Sequence, residues 1–94
     1  MPVGILSLHL LLPGCSSLKE KRSRIKPLLS RLHREFNIST AEMDLQDAWG
    51  ESVVACALIS SDTAHIQRSL QTVVKWLENS WHDVEVVDDS IEIV

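Results

Sequence analysis

Several residue types are scarce in this 94-residue chain, which has no Tyr, one Phe and only three Gly and three Pro. The low Gly and Pro content, with a hydrophobic fraction of 45%, excludes a disordered or low-complexity chain. No segment approaches the roughly 18 uncharged apolar residues of a membrane span. Residues 1–12 lack the basic start and the cleavage pattern of a signal peptide. We therefore expect one cytoplasmic globular domain over residues 1–94.

Cysteine and metal-ligand patterns are equally sparse. Two cysteines do not make a disulfide framework, so we expect reduced thiols, with Cys56 in the core and Cys15 exposed in a loop. The four histidines show none of the spacings of a metal site. Cys15 precedes a predicted helix start, but no partner base is identifiable. We expect no enzymatic activity, no cofactor, no metal and no small-molecule substrate.

An acidic turn is the one place where a hard cation could find oxygen ligands. Its carboxylates are Asp44 and Asp47, with Glu42 and Glu51 nearby. Their spacing lacks the alternating pattern of a calcium loop, so we interpret the segment as a plain polar turn. Trp49 is predicted to anchor this turn against the core, the alternative being that it stacks on a ligand.

Positive charge is nearly absent outside one stretch. Residues 17–36 carry seven of the nine Lys and Arg residues and a net charge of +5, whereas the rest of the chain sums to −9. The overall charge of −4 would by itself argue against nucleic acid. Charges more than roughly 8–10 Å apart are largely screened at physiological salt, however, so one basic element can still meet an anion.

The same stretch has the pattern of an amphipathic helix. Its apolar positions share one face: Leu18, Ile25, Leu28, Leu29, Leu32 and Phe36. Ser17 and Glu20 form the S-x-x-E pattern of a capping box, and Asn37 supplies a stop. Pro27 falls on the opposite face, where we expect it to bend the helix without breaking it.

Strand patterns surround this helix. Residues 3–12 alternate, and four leucines share one side: Leu6, Leu8, Leu10 and Leu12. Further strands are predicted at 38–43, 52–60 and 84–94, the last with an interruption at 88–90. A second helix begins after the cap Asp62. Its predicted buried stripe is Ile66, Leu70, Val73, Val74 and Leu77.

The order βαββαβ predicts an α+β ferredoxin-like sandwich. Two right-handed crossovers place both helices on one face of a four-stranded antiparallel sheet. The other face of that sheet is then uncovered. Because residues 52–60 are apolar on both sides, this strand is expected to be central or to meet a partner.

Several motifs resemble the YlxP-like family of small bacterial proteins, a domain of unknown function. They are SLKEKR at 17–22, FNIS-TAEMD at 36–44 with D-A-W shortly after, and SSD-x-x-H at 60–65. The resemblance covers about residues 3–93 and implies the same ferredoxin-like fold. Genes of this family often lie beside those for translation-initiation and ribosome-binding factors. The resemblance therefore implies an association with translation, but not a mechanism. The family supplies no catalytic residue. The matching positions are Ser17, Leu18, Lys19, Glu20, Lys21, Arg22, Phe36, Asn37, Glu42, Asp47, Trp49, Asp62 and His65.

The leading hypothesis is a non-enzymatic module that binds RNA or a ribosomal subunit through the basic faces of the first helix. Lys19, Arg22 and Lys26 line one flank of this helix together with His33, and Lys21, Arg24 and Arg31 cover the other. These six Lys and Arg residues are the predicted contacts. Strands 3–12 and 52–60 contain no aromatic residue, so RNA would bind through the helix and neighbouring loops and not through the sheet. The structural alternative is a solvated helix whose charges balance the acidic remainder.

The runner-up hypothesis is a protein-interaction or regulatory module that dimerises through the uncovered sheet face. Val3, Ile5 and Leu11 are expected on that face. Exposed apolar patches of this kind often mark association, and a twofold dimer would bury this one.

Overall fold

A computed structural model describes residues 2–94. The chain forms six elements in the predicted order, with ends that differ from the predicted ones by at most one residue. They are β1 (Val3–Leu11), α1 (Leu18–Phe36), β2 (Ser39–Asp44), β3 (Glu51–Ile59), α2 (Thr63–Ser80) and β4 (Glu85–Ile93).

The four strands form one antiparallel sheet in the order β2-β3-β1-β4. Register places Leu6 of β1 opposite Cys56 of β3 and Ile91 of β4. Both helices pack on the face that carries Leu6, and Ile25 of α1 and Leu70 of α2 belong to the same buried cluster. This arrangement confirms the ferredoxin-like α+β prediction, with the second sheet face left uncovered.

The core follows from the alternation of β1. Leu6, Leu8 and Leu10 are fully buried, as predicted, because successive side chains of a strand point to opposite faces. Gly4 shares their face, and a Cβ built there would lie 2.1 Å from Cγ2 of Ile66. Glycine is therefore required for α2 to approach β1 this closely.

Of two predicted irregularities, the structure agrees with one and corrects the other. Pro27 is exposed and α1 runs through it without a break, as expected. The predicted interruption at 88–90 is replaced by a continuous β4 with a register shift opposite His9 and Leu10. A bulge of this kind accommodates an extra residue without ending the strand.

Candidate nucleic-acid interface on the first helix

Helix α1 begins with half of the predicted capping box. The hydroxyl of Ser17 accepts a hydrogen bond from the backbone N–H of Glu20 at 3.1 Å. The Glu20 carboxylate instead lies 3.7 Å from Nη1 of Arg24, one turn on. The backbone N–H of Asn37, which adopts the left-handed conformation at φ 51°, donates to the carbonyl of His33. These caps define where α1 begins and where it ends.

Lys21 is buried, which corrects its prediction as an anion-binding residue. Only 2% of the side chain is exposed, and Nζ lies 2.9 Å from Oε2 of Glu42. Nζ also donates to the carbonyls of Leu45 at 2.5 Å and Gln46 at 3.4 Å. The same carboxylate oxygen accepts from the hydroxyl of Ser52 at 2.6 Å. Glu42 neutralises the charge of Lys21 inside the protein, and the bonds to the two carbonyls fasten the β2–β3 loop to α1.

Arg24 is also engaged within the protein. Its Nε donates to Oδ2 of Asp83 at 3.1 Å and its Nη1 to the carbonyl of Pro13 at 2.9 Å, while Nη2 donates to the Asp83 carbonyl. The guanidinium therefore ties α1 to the loops before it and after α2. With its donors directed to these groups, Arg24 is not available in this arrangement for the predicted anion contact.

Arg31 is partly engaged on the flank of α1 that faces α2. Its Nη2 lies 3.5 Å from Oε1 of Glu35, and its guanidinium carbon lies 5.8 Å from the ring centroid of Trp76. Trp76 in turn packs edge-to-face on Phe36, with the ring centroids 5.6 Å apart. Arg31 stays exposed, but an external anion would compete with a carboxylate for it.

The remaining predicted cations, Lys19, Arg22 and Lys26, form the free stripe of α1. All three are exposed, and within residues 2–94 none lies within ion-pair distance of a carboxylate. Their spacing of three and four residues aligns them on one side of the helix, over roughly 10 Å along its axis. Arg34 is exposed and unpaired in the same described range, about two turns beyond Lys26. The free stripe is thus a short row of positive charge.

The free stripe lies on the β2 side of α1, away from the flank that faces α2, and His33 falls on the same side of the helix. On the α2 side are the contacts of Arg24 and Arg31. On the β2 side, Nδ1 of His33 donates to the carbonyl of Ile38 at 2.8 Å, and the Thr40 hydroxyl donates to the carbonyl of Leu29 at 3.3 Å. The helical wheel already placed Lys19, Arg22 and Lys26 on one flank and Lys21, Arg24 and Arg31 on the other. It did not show that contacts within the protein engage the second flank.

Trp49 is 55% exposed, so its prediction as an anchor against the core is wrong. The β2–β3 loop is held by backbone groups instead. Its two ends are fixed by the Lys21 contacts and by the bond from the N–H of Leu12 to the carbonyl of Gly50, at 2.8 Å. Leu45 adopts a φ of 60°, which is uncommon for a bulky residue and indicates a strained turn. The fastened loop presents an indole to solvent.

The candidate metal-ligating side chains do not come together in one site. Within residues 2–94 there is no cluster of three or more metal-ligating side chains. The carboxylate of Glu42 is committed to Lys21, while Glu51 lies 3.1 Å from Nε2 of His9 on the uncovered sheet face. Two carboxylates of the acidic turn therefore have separate partners, Glu42 in a buried ion pair and Glu51 in a surface contact.

The two thiols differ in their surroundings. Cys56 is buried in the core as predicted, and that burial raises its pKa to about 12. A thiol with this pKa is a poor nucleophile near neutral pH. Cys15 is half-buried, in contrast to the predicted exposed thiol, and its Sγ donates to the carbonyl of Ser17 at 3.5 Å. It packs against the edge of the core.

The uncovered sheet face has an apolar half and an acidic half, and the sequence predicted only that the face is partly apolar. One half is a hollow of about 290 Å³ over β1, β3 and β2, floored by small residues that include Ala41, Ala55 and Ala57. The side chain of Met43 lines the hollow, and Ile59 lies on the same sheet face, two residues beyond Ala57. Met43 is 60% exposed and Ile59 58%. The alternation of β3 indicated an apolar second face, but not that small residues would make it concave.

The other half of this face is acidic. Register places Glu85 of β4 opposite Leu11, Asp88 opposite His9 and Glu92 opposite Ile5, so the three carboxylates share the uncovered face. All three are exposed. We refer to Glu85, Asp88 and Glu92 as the β4 carboxylate row.

The fold and these surfaces define a small ferredoxin-like sandwich with a basic first helix and an acidic, partly apolar sheet face. The chain belongs to the family described as "Protein of unknown function (DUF503)", whose model matches residues 3–91. It is 30% identical over 77 residues to "Uncharacterized protein YlxP" of Bacillus subtilis (strain 168). The aligned region covers 82% of this chain and 84% of that protein. The resemblance to the YlxP-like family is thereby confirmed.

A solved structure also shares the fold. The "De novo designed protein Foldit4" aligns with a TM-score of 0.50 and 16% identity, over 100% of this chain and 97% of that chain. This likeness concerns the fold alone. Among the helices within residues 2–94, none is both long and apolar enough to cross a membrane.

Several motif positions that carry the family resemblance have structural roles here. Ser17 caps α1, Lys21 and Glu42 form the buried ion pair, and Asp62 caps α2 by accepting from the N–H groups of Ala64 and His65. Lys19 and Arg22 belong to the same SLKEKR motif but make no ion pair within the described part of the chain. The motif thus combines fold-stabilising residues with two that face solvent.

Proposed function

We propose that the protein is a non-enzymatic binding module that contacts RNA, in isolation or on a ribosomal subunit, through the free stripe of α1. The observation that carries the proposal is that Lys19, Arg22 and Lys26 are exposed, aligned and without carboxylate partners in the described structure. An aligned row of unpaired cations can follow a phosphate backbone, and each contact releases condensed counterions.

The distribution of charge supports a single docking orientation. Every Lys and Arg in the chain lies on one of the two helices, seven of them on α1. The strands carry acidic residues and no Lys or Arg. A polyanion is therefore attracted to the outer side of α1 and repelled by the sheet, which orients it before contact.

Trp49 adds a second element to the same interface. The loop that carries it is bonded to α1 through Lys21, the sequence neighbour of Arg22. An exposed indole on a fastened loop can stack on an unpaired base, while the cations hold the adjacent phosphates. The proposed RNA is accordingly a structured one with a single-stranded loop or bulge.

Non-enzymatic binding is part of this proposal. The Cys56 thiol is buried with a raised pKa, and the Cys15 thiol bonds to a backbone carbonyl. His9 has Glu51 as its side-chain partner on the sheet face. These contacts give the two thiols and His9 a structural explanation.

The test compares two double variants with the same change in net charge. Lys19→Glu with Lys26→Glu removes two cations of the free stripe, and Arg68→Glu with Lys75→Glu removes two exposed cations of α2. Affinity for purified ribosomal subunits and for an RNA hairpin with an open loop is measured at low salt. We expect a loss of about tenfold or more for the α1 variant and a much smaller loss for the α2 variant. Equal losses would refute a specific role for α1.

A second candidate function is protein interaction through the uncovered sheet face. The exposure of Met43 in the hollow and of Ile59 on the same face favours it, since large exposed apolar side chains grouped on one face often mark an interface. A homodimer is the simplest form of this candidate. Light scattering at high concentration tests it, and a strict monomer would exclude the homodimer. The two functions use opposite sides of the domain and are compatible.

A further inference from the structure

The uncovered sheet face combines an apolar hollow with a surrounding set of carboxylates. Ala41, Ala55 and Ala57 line the hollow together with Ile5 and Met43. The β4 carboxylate row runs beside it, one strand beyond β1. Because neighbouring strands lie about 4.8 Å apart, the row is roughly 5–10 Å from the hollow. One segment of a partner could therefore contact both.

This face carries no compensating positive charge. Asp44 and Glu51 share the face with the β4 row, since register pairs them with Val53 and Leu11. The sheet contributes no Lys or Arg, and His9 already contacts Glu51. A partner that covered the face without supplying cations would bring these five carboxylates toward a less polar environment, which is costly.

The same charges disfavour a second copy as the occupant. Face-to-face pairing of two copies would gather two sets of these carboxylates at an interface to which neither sheet contributes a Lys or Arg. Like charges across an interface suppress association. A partner with the opposite charge gains from the same arrangement, because its cations would meet the β4 row while an apolar side chain fills the hollow.

We propose that the uncovered sheet face binds a basic segment of another protein, with an apolar side chain of that segment in the hollow and its Lys or Arg residues on the β4 carboxylate row. The proposal rests on the second candidate function and names its partner by chemistry. The segment is expected to be an amphipathic helix, because i, i+3 and i+4 positions place an apolar residue beside a cation at the required separation.

The probe is a synthetic amphipathic peptide that carries Leu on one face and Lys on the others. Its binding to the ¹⁵N-labelled protein is followed by NMR titration. We expect the largest shifts at the amides of Ala41, Ala55 and Ala57. A peptide with Ser in place of Leu should bind about tenfold more weakly, because the hollow then gains no apolar contact.

Two double variants test the role of charge. Glu85→Gln with Glu92→Gln neutralises two members of the β4 row, and Asp47→Asn with Glu78→Gln neutralises two exposed carboxylates elsewhere. The first should weaken peptide binding about fivefold and the second by less than twofold. Ala55→Leu, which fills the hollow from an uncovered position, should remove the advantage of the Leu peptide over the Ser peptide.

The outcomes separate this proposal from the others. Equal effects of the two double variants, or shifts confined to α1, would overturn it. Concentration-dependent dimerisation that the peptide cannot displace would also overturn it, while leaving protein interaction through this face intact. A strict monomer that does not bind the peptide would overturn both. None of these results bears on RNA binding, which the α1 variants test.

Discussion

Lys21 and Lys26 lie on the same helix, five residues apart, but in opposite environments. Lys21 is almost fully buried and bonds to a carboxylate and two carbonyls, whereas Lys26 is exposed and has no ion-pair partner in the described chain. Arg24 belongs with the first group, Lys19 and Arg22 with the second. A basic helix can therefore contain two functional classes of cation, one that holds the fold together and one that is available to a partner.

The largest expected effect is on stability when the buried pair is broken. Replacing Lys21 with Met removes the cation beside Glu42, which keeps only the Ser52 hydroxyl as donor, and leaves the carbonyl of Leu45 without its side-chain donor. We expect a loss of about 3 kcal/mol in the free energy of unfolding, near the low end for a broken buried pair because Glu42 is partly exposed. Urea unfolding of Lys21→Met measures this, with Lys26→Met as the matched control. Similar losses of unfolding free energy in the two variants would contradict the separation of α1 cations into a fold-stabilising class and an available class.

The exposed Trp49 tests whether the loop held by Lys21 belongs to the same interface as the free stripe. Trp49→Ala should weaken binding to an RNA with an open loop by about 2 kcal/mol, the cost of one lost stacking contact. Binding to a fully paired duplex should change little. Fluorescence anisotropy with the two labelled RNAs makes the comparison. Equal losses on both would exclude base stacking as the role of Trp49.

The Cys56 thiol makes the buried side of the protein sensitive to alkaline pH. Its folded-state pKa of about 12 exceeds the ordinary value of 9.0, because burial disfavours the thiolate. Above pH 9 the unfolded chain loses this proton first, so the free energy of unfolding falls as pH rises toward 12. The thiol contributes about 1.4 kcal/mol of this fall per pH unit. Denaturant unfolding from pH 8 to 11 should show a steeper decline in the wild type than in Cys56→Ala, and parallel curves would contradict the assignment.

The smallest expected effect is on stability when the free stripe is neutralised. Replacing Lys19, Arg22 and Lys26 together with Gln removes no ion pair and uncovers no buried group in the described structure. Each exposed substitution should change the free energy of unfolding by no more than about 0.5 kcal/mol. Thermal unfolding of the triple variant measures the sum. A loss as large as that of Lys21→Met would mean that these cations serve the fold.

The fold was predictable because its determinants are local. The alternation of Leu6, Leu8 and Leu10 and the caps Ser17 and Asp62 specify strands and helices by short-range rules, and the structure confirms them. The helical wheel separates Lys19, Arg22 and Lys26 from Lys21, Arg24 and Arg31. The engagement of the second group within the protein was not predictable from the wheel. For Lys21 it depends on where the β2–β3 loop lies, which is a contact over 24 residues of sequence from Lys21 to Leu45.

The wrong prediction for Trp49 also arose from contacts between residues that are distant in sequence. A tryptophan in a short connection was expected to use its large apolar surface as an anchor. The loop is instead fixed by hydrogen bonds to its carbonyls from Lys21 and Leu12, so the indole is free to face solvent. The concave floor of small residues on the sheet likewise required the register of three strands, which no single strand pattern contains.

The most direct test of the central claim is the salt dependence of RNA binding by Lys26→Met and Lys21→Met. Each phosphate contact contributes close to one unit to the slope of log K against log salt concentration. The account predicts that Lys26→Met lowers the magnitude of this slope by about one unit, whereas Lys21→Met leaves it unchanged. A slope that falls equally in both variants, or in neither, would contradict the assignment of RNA contact to the free stripe.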